Sequence, residues 1–388
     1  MTTATGTRSR FAGRLQVVAR ALGHRGASRR APVSPRRILV AHHLLLGDTL
    51  MLTPLVKKLR ERHPDADIAM TLPSAYAGLY AGRPYGLRAL PFDPRQPVAH
   101  LFAEAPFDLA FVPGDNRYAW LAAAMRARWV VAFAGDRPLT KNWPIDALLP
   151  YPRTPGAWGD LVATLADGAP PAPFHADEWP APPAAPFTLP GAAAKQGPAA
   201  RGEAARRAGR YAVLHVGASS PLKQWVPARW NALAHDLAAR GIAPVWSAGR
   251  GEDAVVHACD PTQAFQSFAG QLDLAQLFHL LAGAALLVAP DTGVAHLGRI
   301  TGTPTVALFG PGSALVCGAG RFWRDAPYQA VTVDPFPCRD QSVLFKRNID
   351  WVRRCGRSPS QCAEPRCMHA IATDAVTAAV TQLLESSP

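Results

Sequence analysis

The chain has 388 residues, room for two domains of the usual ~100–200 residues each, and 48% of them are hydrophobic, enough for a sizeable core. Its formal net charge of +13 invites a nucleic-acid reading, yet nine arginines (Arg8, Arg10, Arg14, Arg20, Arg25, Arg29, Arg30, Arg36, Arg37) and no acid fall within residues 1–37. Removing those nine charges from +13 leaves +4, so the remainder is only mildly basic and no nucleic-acid partner is expected; no apolar run reaches the ~18 residues of a membrane span.

In the basic arm, Phe11, Leu15, Val18 and Leu22 fall at helical spacing among the arginines. The arm reads either as a helix on an anionic membrane surface or as a disordered basic tail. It lacks the long apolar segment of a secretory signal, so a cytoplasmic protein is expected, with peripheral contact to the inner membrane through the arm.

Arg-Ile-Leu-Val-Ala at 37–41 predicts a buried strand. A helix follows, with Leu52, Leu55, Val56 and Leu59 on one face, Pro54 in its first turn and Pro64 ending it. Strands are predicted at 67–72, 107–112 and 129–133, with helical character around 118–126. Residues 137–198 hold 14 of the 38 prolines, a composition break that marks a domain boundary. Alternation restarts with a strand at 211–216, a helix presenting Trp230, Leu233, Ala234 and Leu237, and Gly241 placed to end it. Strands at 242–247, 285–289 and 305–309, helices at 272–282 and after Asp291, and a last helix at 373–384 complete a second unit. Such alternation predicts parallel sheets covered on both faces, an α/β fold.

Four features follow predicted strands, where open α/β sheets bind ligands. Gly47-Asp48 follows the first strand; Asp48 suits general-base work and equally suits a helix cap. Gly217 through Lys223-Gln224-Trp225 follows the strand at 211–216. Gly249-Arg250-Gly251-Glu252 follows the next, and Glu252 suits a sugar hydroxyl or an exposed loop equally well. Asp291-Thr292-Gly293 opens a helix at the end of a buried strand, a ready anion site; His296 either reaches that anion or packs behind the turn.

Six cysteines occur, four of them late: Cys338, Cys355, Cys362 and Cys367, separated by 16, 6 and 4 residues. Structural disulfides are unusual in the cytoplasm, and the clustering suits metal ligation, although the spacing is not a standard zinc pattern. Four thiolates would make a tetrahedral site.

Residues 37–60, 211–253 and 288–312 resemble glycosyltransferase family 9, whose members include the ADP-heptose–lipopolysaccharide heptosyltransferases. The resemblance is carried by Leu46-Gly47-Asp48, by Gly217 through Trp225, by Asp291 through His296 and by Thr303 through Pro311; the tail Cys362-Ala-Glu-Pro-Arg-Cys367 is also similar. It implies a GT-B fold, two Rossmann-like domains with a cleft between them. Their expected extents are 37–185 for the acceptor domain and 209–367 for the donor domain, with 1–36 as arm, 186–208 as linker and 368–388 as terminal helix.

The resemblance further implies inverting, metal-ion-independent sugar transfer, with no cofactor required for catalysis; the tail cysteines Cys338, Cys355, Cys362 and Cys367 resemble those of some members that bind iron or zinc, which implies a structural metal there. Asp48 would be the base and Lys223 would neutralise the departing diphosphate. The implied donor set is Gly47, Ser219, Ser220, Lys223, Glu252, Asp291, Thr292, Gly293 and His296. The donor would be a nucleotide sugar, ADP-heptose first, and the acceptor a lipopolysaccharide core, another glycan, a lipid-linked sugar or a protein hydroxyl. A GT-B nucleotide-sugar epimerase and a basic membrane- or nucleic-acid-binding protein with a retained nucleotide fold are the alternatives. One departure stands out: His42-His43-Leu44-Leu45 precedes Gly47-Asp48, where many family members carry small polar residues.

Overall fold

Twelve short, mostly apolar strands build two six-stranded sheets, all of their pairings parallel. The computed structural model describes residues 3–23, 30–190 and 210–386. The first sheet comprises β1 (Arg37–Val40), β2 (Asp67–Leu72), β3 (Arg88–Pro91), β4 (Phe107–Val112), β5 (Ala127–Phe133) and β6 (Ala147–Leu149), in the order β3-β2-β1-β4-β5-β6. The second comprises β7 (Tyr211–His215), β8 (Ala243–Ser247), β9 (Gln266–Ser267), β10 (Leu286–Pro290), β11 (Thr305–Phe309) and β12 (Tyr328–Thr332), in the order β12-β11-β10-β7-β8-β9. Central strands β7, β10 and β11 are buried along their whole length because helices cover both faces.

In each sheet the chain reverses its direction of growth beside its first strand: β1 lies between β2 and β4, and β7 between β8 and β10. Such switch points leave a crevice at the carboxyl ends of the strands, where loops diverge. Asp48 follows β1, Gly217 follows β7 and Asp291 follows β10, so all three occupy that position.

The chain divides into two units, residues 1–172 with 342–351, and residues 173–341 with 352–388. Thus the boundary falls at Ala172–Pro173, inside the proline-rich stretch. The 342–351 segment, which the sequence reading did not separate from the second half, is an antiparallel hairpin, β13 (Val343–Leu344) with β14 (Arg347–Asn348). The expected linker, 186–208, lies largely on residues 191–209, outside the described residues.

The helix predicted around Leu52–Leu59 is two, Leu46–Leu50 and Thr53–Arg62, with Leu52 as the N-cap and Pro54 in the first turn of the second. Proline lacks the N–H that would continue the shorter helix into the longer one. In the basic arm, a helix spans Thr3–Leu22 and its last turn is docked: Ala21 is buried, Arg20 Nε donates to the Ala124 carbonyl at 3.0 Å, and its guanidinium lies 4.7 Å from the Phe102 ring centroid. That end of the arm is therefore neither a free tail nor wholly available to a membrane. Among the described residues no helix is long and apolar enough to cross a membrane.

Candidate active site

In the second unit, the turn after β10 is held from both sides. The Asp291 N–H donates to the Leu308 carbonyl at 2.9 Å, and the Asp291 side chain is 8% exposed. Lys223, at the end of the Pro221–Lys223 turn that follows β7, donates through Nζ to the Asp291 carbonyl at 2.7 Å and to Oδ2 at 2.9 Å. A side chain at Gly312 would stand 2.2 Å from that same Oδ2, so the close approach needs glycine. Lys223 is itself anchored, because Ser220 Oγ accepts from the Leu222 N–H at 3.3 Å and Trp225 Nε1 donates to the Ile371 carbonyl at 2.9 Å. Trp225 meets Trp230 edge-on at 5.3 Å within the core that the terminal helix Thr373–Ser386 also packs against. Ser219 is exposed on the same loop.

Helix Gly293–Thr301 starts at this turn, and its N-cap, Thr292, makes no side-chain cap bond. Thr292 Oγ1 is buried without a hydrogen-bond partner. The first N–H groups of a helix have no partner inside it and carry about half a positive charge. A buried hydroxyl and a helix start facing the end of a parallel strand make an anion-binding arrangement.

His296 lies behind the turn, buried, with Nδ1 taking a hydrogen bond from Arg299 Nη2. Burial first, then the charges of Arg299 and Lys223, push its pKa well below the usual imidazole value, so it is neutral. The structure thus puts His296 in a packing position. Arg299, which the sequence reading missed, is 1% exposed; Nη1 donates to the Gly318 carbonyl at 2.6 Å and Nη2 to that of Cys317 at 3.1 Å. It was legible only as the one charged side chain in the buried run Val294–Ile300.

Glu252 sits differently from an open ribose acceptor. Its Oε2 accepts from the Gly249 N–H at 2.6 Å and its Oε1 from the Ala218 N–H at 3.0 Å, so one carboxylate ties the loop after β8 to the loop after β7.

The first unit places Asp48 in the first turn of Leu46–Leu50, after Gly47, whose carbonyl accepts from the Met51 N–H at 2.9 Å. Asp48 is half-buried. The neighbouring Tyr76 phenol is shifted upward by burial, and the Asp48 charge adds to the shift. His42 is buried: its Nδ1 accepts from the Leu44 N–H at 3.2 Å, its Nε2 has no partner, and burial, with a smaller contribution from His43, lowers its pKa to about 3. His43 packs edge-on against Phe92 at 5.6 Å.

Beside Asp48's loop, the ends of β4 and β5 carry a buried polar network invisible to periodicity. Arg347 donates to the carbonyls of Gly114 (2.8 Å), Ala134 (2.8 Å) and Phe133 (2.9 Å) and to Asn116 Oδ1 (2.7 Å). The Asn116 N–H donates to Asp136 Oδ2 at 2.8 Å, and Lys141 bridges Asp136 and Asp115 at 2.9 Å each. Burial pushes Asp115 upward, but hydrogen bonds from Arg117 and Lys141 outweigh it and hold its carboxyl well below the usual range. The hairpin tip reaches Asp48's loop: an added Cβ at Gly114 would meet Leu44 at 2.9 Å and Phe345 at 3.6 Å.

The four tail cysteines, Cys338, Cys355, Cys362 and Cys367, line one cavity of about 590 Å³ together with Leu222 and Pro311. They share a pocket, yet no three His, Cys, Asp or Glu side chains among the described residues are gathered as ligands for an ion. Arg357 stands 3.6 Å from Cys355 Sγ, and Cys362 Sγ donates to the Glu364 carbonyl at 3.2 Å. The four thiols expected from the sequence to hold a structural ion thus share one cavity without being gathered into a ligand cluster.

Two parallel Rossmann-like units, each with its loops of interest at a switch point, define the GT-B class. Residues 183–326 match the family model described as glycosyltransferase family 9 (heptosyltransferase). A curated relative, lipopolysaccharide heptosyltransferase 1 of Pseudomonas aeruginosa, is 36% identical over 112 residues, which span 28% of this chain and only 31% of that protein. The fold matches the family 9 glycosyltransferase structure from Veillonella parvula with a TM-score of 0.66 at 17% identity, covering 91% of this chain and 98% of that one. It matches E. coli ADP-heptose lps heptosyltransferase II with a TM-score of 0.62 at 18% identity, covering 90% and 98%.

Proposed function

We propose that the protein is an inverting glycosyltransferase that moves a sugar, heptose from ADP-heptose first among candidates, to a hydroxyl of a lipopolysaccharide core or another glycan. What supports this reading is the convergence of Lys223, the Asp291 turn, the orphan Thr292 hydroxyl and a helix start within a segment that matches family 9. Asp48 takes the proton from the acceptor hydroxyl as that oxygen attacks the anomeric carbon from the face opposite the leaving group. The bond from the anomeric carbon to the diphosphate oxygen breaks, and the configuration inverts. Lys223 and the N–H groups at Gly293 receive the growing negative charge, the work that a divalent metal would otherwise do. Because these donors are already anchored to Asp291 and to the core, little reorganisation opposes the step.

The test is transfer, and hydrolysis, of ADP-heptose by purified protein and its Asp48→Ala and Asp48→Asn variants. Turnover should fall at least 10²-fold in both while ADP still binds. Wild-type turnover in Asp48→Ala removes Asp48 as the base; conversion of the free nucleotide sugar without an acceptor would make the protein an epimerase.

We place the enzyme in the cytoplasm, peripheral on the inner membrane. Supporting this, Leu15, Val18 and Leu22 are exposed along the undocked side of the arginine-rich helix, and Leu139 and Trp143 are exposed in the same unit. Apolar side chains among arginines suit an anionic interface. Co-sedimentation with vesicles containing phosphatidylglycerol should fall for Leu15→Ser/Leu22→Ser and with rising salt; binding unchanged by both would remove the membrane contact.

A further inference from the structure

Arg299 is a buried cation without an anion. It is 1% exposed, and its partners are two carbonyls, a neutral imidazole and two ring faces: the guanidinium carbon stands 4.9 Å from the Trp323 centroid and 4.7 Å from that of Tyr328. Its Nε has no acceptor, and among the described residues no carboxylate lies within ion-pair distance of it. Burying an unpaired charge is costly, and such charges are normally paired. The carboxylate in its electrostatic surroundings, after the Tyr328 phenol and the Cys317 thiol, is Asp291, which is already bonded to Lys223 at 2.9 Å. Around this turn two cations therefore share one carboxylate, and the uncapped start of the Gly293 helix adds to the surplus.

We infer that Arg299 is a positioning residue whose missing counter-ion is the diphosphate of the bound nucleotide, an inference that rests on the function proposed above. Arg299 lies six residues beyond Gly293, about 9 Å along the helix at ~1.5 Å per residue, with His296 between them. It does not touch the ligand. Its charge reaches the anion through a low-dielectric wall that salt does not screen, and at that range one unit charge changes affinity on the order of tenfold. Arginine suits the place because it stays protonated even when buried, where a lysine would lose its proton. The two ring faces and two carbonyls hold the guanidinium fixed, so its field costs no rearrangement when the anion arrives.

The experiment compares ADP with adenosine, which carries no phosphate, by calorimetry on wild type, Arg299→Met and Arg299→Gln. Gln keeps a donor for the Gly318 carbonyl and so covers the case in which Met fails to fold. Loss of the charge should raise the Kd for ADP about tenfold or more and leave that for adenosine unchanged. Equal losses for both ligands would make Arg299 purely architectural and overturn the inference, as would an unchanged ADP affinity in either folded variant. Wild type that binds no nucleoside diphosphate would overturn the proposed function, and this inference with it.

Discussion

Glu252 fills the space that a side chain at Gly217 would need: a Cβ there would stand 2.0 Å from Glu252 Oε2 and 3.1 Å from the Gly249 nitrogen. One carboxylate thus sets the distance between the loops after β7 and β8, and the first loop carries Lys223. Gly217→Ala should destabilise the protein by about 1–3 kcal/mol through overpacking. Removing the obstructing group should relieve much of that, so the Gly217→Ala penalty is expected to shrink in a Glu252→Ala background. Urea unfolding of the four species in a double-mutant cycle measures the coupling; strict additivity would contradict it.

Lys223 holds its ammonium on the Asp291 carbonyl and carboxylate, beside the uncapped helix start where a diphosphate would be received. Lys223→Ala is expected to lower kcat by about 10²-fold, the usual effect of deleting one preorganised donor to developing charge. Steady-state transfer kinetics check this; a change confined to KM would mean that Lys223 binds the donor without stabilising the leaving group.

Acid should unfold the protein early. Burial lowers the pKa of His42 to about 3 and of His215 to about 4, and holds His296 well below its ordinary 6.5. The unfolded chain takes up these protons below about pH 6.5 while the native state refuses them, so the stability is present above 6.5 and is lost as pH falls toward the folded values. Each histidine contributes about 1.4 kcal/mol of loss per pH unit in that window. The thermal midpoint should drop steadily from pH 6.5 to 4.5, and His42→Gln should flatten part of that slope. A midpoint constant over this range would refute the neutral, buried assignment.

Arg347→Met would leave Asn116 Oδ1 and the carbonyls of Gly114 and Ala134 without their Arg347 donor, while the Phe133 carbonyl keeps its bond from Asn116 Nδ2. A cost of about 3 kcal/mol is expected, the scale of several stranded buried acceptors. Limited proteolysis should show the added sensitivity first in residues 107–151, around the ends of β4 and β5; uniform sensitivity along the chain would count against a local role.

The central strands were legible because four to six apolar residues in a row, β-branched among them, have one good use in an α/β protein. Predicted strands 67–72, 107–112 and 305–309 match β2, β4 and β11 residue for residue. In the two six-stranded sheets the four strands not foreseen are the edge strands. Arg88–Pro91 carries a proline and an arginine, Ala147–Leu149 is three residues long, Gln266–Ser267 is two, and Tyr328–Thr332 is only half-buried, so none shows a clean period. At the site, Lys223 and Asp291 were readable from their turn chemistry and family resemblance. Arg299, Asn116, Asp136 and Arg347 were not, because their meaning lies in partners distant in sequence and in the absence of water around them. Glu252 was found for its position, while its bonds to Ala218 and Gly249 depend on loop geometry that no spacing encodes.

The late return of residues 342–351 to the first unit bears on the order in which the protein can be made. As the chain leaves the ribosome, β1 to β6 are complete nearly two hundred residues before Arg347 emerges. Until then the carbonyls at the ends of β4 and β5, and the side-chain oxygen of Asn116, wait for a donor encoded far downstream of the strands that need it. A nascent first half is therefore an unfinished body, and a chain cut before residue 342 would lack the final piece of a unit whose sheet it already contains.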